Sequence, residues 1–433
     1  MNNVTPPFGN TLLIGAGPAA IQFGVDLARG WSSKVGLLNR KGPHADRLRK
    51  ELEKHDRVLA ATGHGLPISH LSGQVRVNRF YEGYENVDGS WNTVVLCTPS
   101  DSYREIVQTL QMDSWPSLNT VILLSPGFGS NLLVANLLNQ RNDVEVVSLS
   151  TYYAATKFEQ SSVIRSVTKA LKKRVYLASN KQGGTAVRHV KELLERLGVQ
   201  CTVCSHPVEA ESRGITTYVH PPLFLHPFSL QEIFRSDGPS RKSMYKIYPE
   251  GPITQHSIRA MVRWWKEYSG LLRFFGFEPV NLLQFLNDDN YPVPEASLSR
   301  EDIETFPLAD PIKQEYLLYI RYSSLLIDPF SIPDQNGRYF DFSAVPYKQV
   351  YQDQEGRWVI PRIPMEDYKR LKLLEGLGRK ANLPMPQARE LIECFEDRLS
   401  AFLKEKGRDR VHPDVWTDTT REEAEIIWKE LGA

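Results

Sequence analysis

Closely spaced glycines and small residues follow an apolar run near the start of the chain, and apolar residues at helical spacing come after them. The segment 11–20 reads TLLIGAGPAA. Gly15 permits a sharp turn, Gly17 lets backbone N–H groups approach an anion, and Ala20 allows helix and strand to pack closely. A helix N-terminus also favours negative charge. The pattern predicts a strand, a turn and a helix start that bind a dinucleotide pyrophosphate through Gly15, Gly17, Pro18, Ala19 and Ala20.

A glycine turn alone does not establish a dinucleotide-binding site, because tight turns also use glycine for steric reasons. Here a second apolar run, 34–38 (KVGLL), follows at the distance that a βαβ unit requires. That run ends at Asn39-Arg40-Lys41 instead of the Asp or Glu that would bond a ribose 2′-hydroxyl, and a guanidinium suits a 2′-phosphate. We therefore predict NADP(H), with Arg40 as the main clamp and Lys41 or Arg47 assisting. The alternative is a solvated basic turn.

Cys201 and Cys204 form a Cys-x-x-Cys, a pattern found in metal sites and redox centres. They lie in 199–204 (VQCTVC), a β-type run in which residues three apart point to opposite faces. Neither a second ligand pair at zinc spacing nor a helix start follows them. We interpret both as ordinary strand cysteines.

The composition indicates a soluble globular protein of two domains. The chain has 433 residues, with 52 Lys and Arg against 51 Asp and Glu, so charge gives no bias toward nucleic acid or membrane. No apolar run approaches the ~18 residues of a spanning helix, and residues 1–7 lack a leader pattern. Four cysteines do not make a disulfide scaffold. We expect a cytoplasmic protein.

Residues 1–210 have the pattern of a Rossmann-type α/β domain. Apolar strands alternate with amphipathic helices, which favours a parallel sheet covered on both faces. After the first two strands, the predicted strands are 93–97, 120–124, 144–149 and 174–178, and the clearest helices are 103–110 and 186–197.

Ligands of such a sheet lie beyond the carboxyl ends of its strands. Three strand-end loops, 98–100, 125–129 and 151–156, therefore supply candidate binding residues. We predict Thr98 and Pro99 as cofactor contacts. The candidate substrate contacts are Phe128, Gly129, Tyr153 and Ala155.

Residues 211–433 have the pattern of a mainly helical catalytic domain, with the substrate in the cleft between it and the first domain. One long helix has an apolar face, and another is expected over 312–327, ended by Asp328-Pro329. A hairpin is predicted around 336–342. Two C-terminal helices follow, the second entered through a capping box from Thr419 to Glu422. The face of the first helix comprises Ile258, Met261, Val262, Trp265, Leu272 and Phe275, and that of the first C-terminal helix Leu391, Ile392, Phe395, Leu399 and Phe402.

His220 has the most suggestive setting of the ten histidines. It lies just after the predicted domain junction, within 216–224 (TTYVHPPLF), and two prolines stiffen the loop that presents it. Histidine exchanges a proton near neutral pH, as hydride transfer to a substrate requires. By position alone, a structural histidine is the more common interpretation.

Five segments resemble the opine-metallophore dehydrogenases, the staphylopine and pseudopaline synthase family. They are YVHPPLF at 218–224, YPEGPIT at 248–254, VNLLQF at 280–285, QEYLLY at 314–319 and DFSAVP at 341–346. The similarity spans nearly the whole chain, including the glycine turn.

The resemblance implies a reductive condensation. The primary amine of an aminobutanoyl-histidine-type intermediate, made by a nicotianamine-synthase-like partner, would meet a 2-oxo acid such as pyruvate or 2-oxoglutarate, and NADPH would reduce the imine. The resemblance also assigns the catalytic role to His220 and binding of the 2′-phosphate to Arg40, and it suggests a homodimer. Metal would bind the product through its carboxylates and imidazole, so we expect no metal on the enzyme.

One position departs from the family pattern as we expect it. Relatives are expected to carry Asp before the threonine in 150–156, where this chain has Ala155. A carboxylate there could support the histidine or orient the amine. Two other functions stay open: an NADP-dependent 2-hydroxy-acid or alcohol dehydrogenase of related fold, and a non-catalytic NADP(H)-sensing protein.

Overall fold

The protein consists of two compact units, Met1–Gly214 and Ile215–Ala433. Its structure is a computed structural model that describes residues 6–139, 141–290, 292–326 and 345–432. The domain boundary expected after residue 210 falls inside a short helix, Pro207–Glu211, which belongs wholly to the first unit.

Strands and helices alternate through the first unit. Its strands are β1 (Asn10–Ile14), β2 (Lys34–Asn39), β3 (Val58–Gly63), β4 (Gly73–Arg76), β5 (Arg79–Glu82), β6 (Thr93–Leu96), β7 (Thr120–Leu123), β8 (Glu145–Leu149), β9 (Ala154–Phe158), β10 (Arg165–Leu171), β11 (Arg174–Ser179) and β12 (Gln200–Val203). Its helices are α1 (Pro18–Leu27), α2 (Pro43–Lys54), α3 (Tyr103–Thr109), α4 (Ser130–Leu137), α5 (Thr185–Arg196) and α6 (Pro207–Glu211).

The main sheet has the Rossmann-type arrangement that the sequence predicts. Its order is β12-β11-β8-β7-β6-β1-β2-β5, and every neighbouring pair from β5 to β8 is parallel. Strands β6, β7 and β8 are buried along their whole length, which explains their continuous apolar sequences. The expectation of a parallel sheet is wrong at β11, which runs antiparallel to β8. The chain between β8 and β11, residues 150–173, forms β9 and β10 of a second sheet instead of the helical crossover that usually joins parallel neighbours.

A second sheet, of order β4-β3-β10-β9, was not predicted from the sequence. Residues along β3 and β10 alternate in burial, so these strands lack the continuous apolar runs of the main sheet. Helix α1 packs against this sheet. Because β9 begins at Ala154, the segment 151–156 is only partly the loop that was expected.

The second unit is mainly helical, as expected. Its elements are α7 (Ile215–Phe224), α8 (Pro227–Ile233), α9 (Gln255–Phe274), α10 (Leu282–Gln284), α11 (Arg300–Thr305), α12 (Pro311–Leu326), α13 (Arg362–Lys380), α14 (Pro386–Lys406) and α15 (Thr420–Glu430), with a short hairpin of β13 (Tyr351–Gln352) and β14 (Trp358–Val359). Helix α9 buries its predicted apolar face, except that Phe275 lies past its end and is half-buried. Within the described ranges, no helix has the length and apolar character needed to cross a membrane.

Three predictions in the second unit need correction or fall outside the structure. Helix α13 was missed. The capping box from Thr419 to Glu422 is wrong: the Thr419 hydroxyl donates to Glu423 Oε1 (2.5 Å), while Asp418 Oδ1 accepts from the Thr420 amide (3.1 Å). The helix stop after Ile327 and the hairpin at 336–342 lie outside the described residues.

Glu211, at the end of α6, is fully buried and caps α4. Its Oε1 accepts hydrogen bonds from the backbone N–H of Asn131 (2.8 Å) and from the Ser148 hydroxyl (2.7 Å). Burial raises the pKa of Glu211 to about 8, and these hydrogen bonds only partly oppose the rise. The carboxyl group is therefore mostly protonated at neutral pH.

Glu211→Gln should flatten the pH dependence of stability. Because the folded-state pKa of about 8 lies above the ordinary 4.5, the stabilising contribution of this proton is complete below pH 4.5 and is lost as the pH rises through 8. Glutamine keeps the acceptor oxygen and has no proton to lose. Urea unfolding at about pH 5.5, 7 and 8.5 should show the wild type weakening relative to the variant, by a few kcal/mol. A parallel decline of both proteins would show that Glu211 does not carry this titration.

Candidate functional site

The glycine turn follows β1, which lies between β2 and β6 in the main sheet. Gly15 has φ +97°, and a Cβ on it would lie 2.9 Å from Thr98 Cγ2. Both the backbone and the close approach to Thr98 therefore require glycine. The structure thus brings together two predicted cofactor-binding segments, from the ends of β1 and β6, at the position where such sheets bind dinucleotides.

Gly17 differs from Gly15, because nothing in the fold demands a glycine there. Its φ is −78°, and an added Cβ would meet no atom within 4 Å. Gly17 is the N-cap of α1, Pro18 opens the helix, and no side chain of the described residues caps it. The open space and the uncapped first turn, with Ala19 and Ala20, fit the approach of a pyrophosphate.

Two of the predicted 2′-phosphate residues, Arg40 and Lys41, lie in the turn between β2 and α2. Arg40 is exposed there. Lys41 forms an ion pair with Glu85 (2.7 Å), and Arg47 pairs with Glu51 (3.0 Å). Of the two assisting candidates, Lys41 adjoins Arg40 in the turn, whereas Arg47 lies inside α2.

His44, in the first turn of α2, was not identified from the sequence. Its Nε2 lies 3.2 Å from the Ala16 carbonyl oxygen, and Asn39 Oδ1 accepts a hydrogen bond from the Ala16 amide (3.3 Å). The glycine turn is thus tied to the end of β2 through Asn39 and to the start of α2 through His44. No local sequence pattern marks His44 for this contact.

The other strand-end candidates lie in different settings. After β6, the Ser102 hydroxyl bonds Thr98 Oγ1 (2.9 Å) and the Pro99 carbonyl (2.7 Å), which fixes that loop. Phe128 is buried, and Gly129, with φ +76°, is the N-cap of α4. Because Glu211 already accepts from the first turn of α4, that helix start serves an internal carboxyl group.

Tyr153 lies inside the first unit and Ala155 on its surface. The Tyr153 hydroxyl donates to Asp26 Oδ2 (2.6 Å) on α1, where burial raises the pKa of Asp26 to about 6. Gln22, one turn earlier on α1, bonds Asp26 (3.2 Å) and accepts from the Thr168 hydroxyl (2.7 Å). Tyr153, the residue just before β9, is thus linked to α1, and its contact with substrate stays a prediction. Ala155, on β9, is exposed.

His220 lies in the second unit, in α7, and its imidazole has a partner at each nitrogen. Its Nδ1 is 3.0 Å from Asp367 Oδ1 on α13, and its Nε2 is 3.2 Å from the Tyr245 hydroxyl. Both His220 and Asp367 are buried. The expectation of a loop is wrong, since Pro221 and Pro222 lie within the helix.

The partners of His220 determine its tautomer. An ionised carboxylate only accepts, so Nδ1 carries the proton and donates to Asp367; Nε2 then keeps its lone pair and accepts from Tyr245. Phe224 packs edge-on against the imidazole, with ring centroids 4.8 Å apart. Such an imidazole can take up a proton at Nε2, and Asp367 stabilises the resulting cation.

Asp367 and Tyr245 are the residues of this site that sequence reasoning missed. Leu371, Leu374 and Leu377 of α13 are buried at helical spacing, a signal that could have located the helix. Nothing local marks Asp367 as the partner of His220, 147 residues away. The carboxylate beside the histidine therefore comes from α13 and does not require an acidic residue at position 155.

Of the two cysteines in the Cys-x-x-Cys pattern, Cys201 lies within β12 and Cys204 directly follows that strand. Burial raises the pKa of Cys201 to about 12 and that of Cys204 to about 11, so both are thiols at neutral pH. Across the ranges that the structure covers, no three His, Cys, Asp or Glu side chains are grouped to hold a metal ion.

Comparison with known proteins identifies full-length relatives. The family model for staphylopine dehydrogenase matches residues 9–431. Pseudopaline synthase of Pseudomonas aeruginosa is 42% identical over 433 residues, covering 99% of each chain. Staphylopine synthase of Staphylococcus aureus is 38% identical over 395 residues, covering 90% of this chain and 91% of the relative. A solved yersinopine dehydrogenase with NADP⁺ bound has a TM-score of 0.90 at 37% identity and covers 100% of both chains.

Gly17→Val should abolish dinucleotide binding without unfolding the protein. The valine side chain fits the space around residue 17, but it would occupy the approach to the first turn of α1. The matched control is Gly270→Val, because an added Cβ at Gly270 also meets nothing within 4 Å, in the second unit. NADPH titration by fluorescence should show no binding for Gly17→Val and normal binding for the control. Unchanged affinity of Gly17→Val would mean that 11–20 is not the phosphate site.

Proposed function

This chain belongs to the staphylopine dehydrogenase family, and we propose that it joins the primary amine of an aminobutanoyl-histidine-type compound to a 2-oxo acid with NADPH as reductant. The resemblance noted in the sequence is confirmed, and the chain is an NADP-dependent opine dehydrogenase. The substrate pair and the residues below are the proposal.

The observation that carries the proposal is the buried contact between His220 Nδ1 and Asp367 Oδ1, from which we infer that Nε2 is unprotonated. Condensation of an amine with a ketone needs one group that first takes a proton and later returns it. The amine arrives as an ammonium ion and must lose a proton before its nitrogen attacks the keto carbon. The carbinolamine then needs a proton on its hydroxyl group, so that water can leave and an iminium ion can form.

His220 performs both transfers. The substrate ammonium takes the place of the Tyr245 hydroxyl at Nε2 and gives up its proton, while Asp367 stabilises the imidazolium. The imidazolium returns this proton to the carbinolamine oxygen. Bound NADPH supplies the hydride that reduces the iminium carbon. The secondary amine product carries carboxylates and an imidazole, which suit a divalent transition metal.

The first unit supplies the cofactor site of this proposal. The turn at Gly15 and Gly17 and the start of α1 hold the pyrophosphate, with Thr98 and Pro99 beside them. Arg40 binds the 2′-phosphate, with Lys41 next to it. Charge-assisted hydrogen bonds of this kind contribute about 1.5–3 kcal/mol, or roughly ten- to a hundredfold in preference for NADPH over NADH. Phe128, Gly129, Tyr153 and Ala155 remain candidates for substrate contact.

Two partners belong to the proposal. A nicotianamine-synthase-like enzyme would make the amine, because a free primary amine beside carboxylates is what the condensation consumes. The chain would act as a homodimer. Both are what the resemblance to the family implies.

NADPH oxidation with pairs of substrates tests the reaction. Purified protein should oxidise NADPH only when an aminobutanoyl-histidine-type amine and pyruvate or 2-oxoglutarate are both present, and much less with NADH. Oxidation with a 2-oxo acid alone would instead indicate a 2-hydroxy-acid dehydrogenase. Cofactor binding without turnover of any pair would indicate a sensing protein.

Asp367→Asn should lower kcat about as much as His220→Ala, by ~10²–10⁴-fold. An asparagine amide can donate to Nδ1, which moves the imidazole proton to Nε2 and removes the base. NADPH affinity should not change. Glu375→Gln is the matched control, since Glu375 is also buried on α13 but pairs with Arg379 and Arg389. Near-normal kcat in Asp367→Asn would contradict the proposed proton transfer.

A further inference from the structure

We propose that Trp264 is a positioning residue for His220, because its indole N–H replaces the main-chain donor that Pro221 lacks. This inference rests on the catalytic role proposed for His220. It concerns the helix that carries the histidine and none of the atoms that would touch substrate.

The need for an outside donor follows from the sequence of α7. In an α-helix, each carbonyl accepts a hydrogen bond from the N–H four residues later. The Thr217 carbonyl would take its bond from residue 221, which is proline and has no N–H. A carbonyl that is shielded from water and lacks a donor is unfavourable. The Trp264 Nε1–H donates to the Thr217 oxygen at 2.7 Å.

The donor itself is rigidly held. Trp264 has no exposed surface and stacks on Tyr268, also of α9, at a centroid distance of 5.5 Å and an interplanar angle of 13°. Tyr268 in turn packs against Tyr218 of α7 (5.3 Å). The indole N–H therefore has a fixed direction, and α9 holds the turn of α7 that precedes His220.

The position of this turn decides whether His220 meets its carboxylate. Thr217 lies one turn before His220 on the helix, and α13 also packs against α7. A hydrogen bond of 3.0 Å between Nδ1 and Asp367 tolerates little movement of either helix. Without the indole donor, the Thr217 carbonyl would have to turn toward another partner and would shift the histidine with it.

The adjacent proline supplies an internal control. Pro222 removes the donor for the Tyr218 carbonyl, one residue along from the carbonyl that Trp264 bonds. Replacing Pro221 by alanine gives the Thr217 carbonyl a helical donor of its own. Replacing Pro222 by alanine makes the same change one residue later in the helix, but it gives the Thr217 carbonyl no backbone donor.

Trp264→Phe keeps an aromatic ring and removes only the donor side of the indole. We expect kcat to fall about tenfold, within the range set by loss of one buried hydrogen bond, with KM for NADPH unchanged. The acid limb of the kcat/KM profile should move to lower pH, because a histidine farther from its carboxylate loses its proton more easily. A purely structural role would not move this limb.

The rescue experiment decides the matter. In the Trp264→Phe background, Pro221→Ala should restore kcat and the pH profile, whereas Pro222→Ala should restore neither. If Trp264→Phe alone does not fold, the two double variants are compared directly, and recovery only with Pro221→Ala supports the inference. A wild-type kcat and profile in Trp264→Phe, or equal behaviour of the two double variants, would overturn it. Normal activity of His220→Ala would instead overturn the proposed function.

Discussion

The hydrogen bond between His220 Nδ1 and Asp367 Oδ1 is the interaction on which the chemistry of the second unit depends. A carboxylate as buried as Asp367 is unfavourable unless something donates to it, and a neutral imidazole has no fixed tautomer until one nitrogen finds an acceptor. The imidazole N–H supplies the donor for the carboxylate, and the carboxylate supplies the acceptor that fixes the tautomer. The packing of α9 and α13 against α7 therefore keeps His220 Nδ1 and Asp367 Oδ1, which come from distant parts of the chain, 3.0 Å apart.

The first unit meets a different constraint, because its proposed pyrophosphate site consists of backbone. Gly15 turns the chain sharply, Gly17 leaves room for a ligand, and α1 offers its first amides. Helix α1 must also stay in place against the second sheet. The buried bonds of Tyr153 and Thr168 to Asp26 and Gln22 fix it there. A polar network inside the unit thus supports a site made of main-chain atoms.

This contrast explains what the sequence could predict. The strand–turn–helix at Gly15 and the strands of the main sheet were found because turn geometry and strand burial leave local patterns in the sequence. Asp367 was missed because its importance lies in a contact across 147 residues, on a helix whose start is irregular at Ile363. The reversal of β11 was missed because apolar runs report burial and not direction. The capping box at Thr419 failed because the Thr419 hydroxyl bonds the Glu423 carboxylate, while Asp418, one residue earlier, accepts from the first amide of the helix.

Glu211 has a consequence for ligand selectivity. The start of α4 follows β7 in the same sheet as the glycine turn, and helix starts of this kind attract phosphate. The chain fills this position with a side chain of its own, and that side chain is mostly neutral at physiological pH, so it neither repels a nearby anion nor leaves the amides free. The start of α4 is therefore closed to a nucleotide or inorganic phosphate and does not compete with α1 for that ligand.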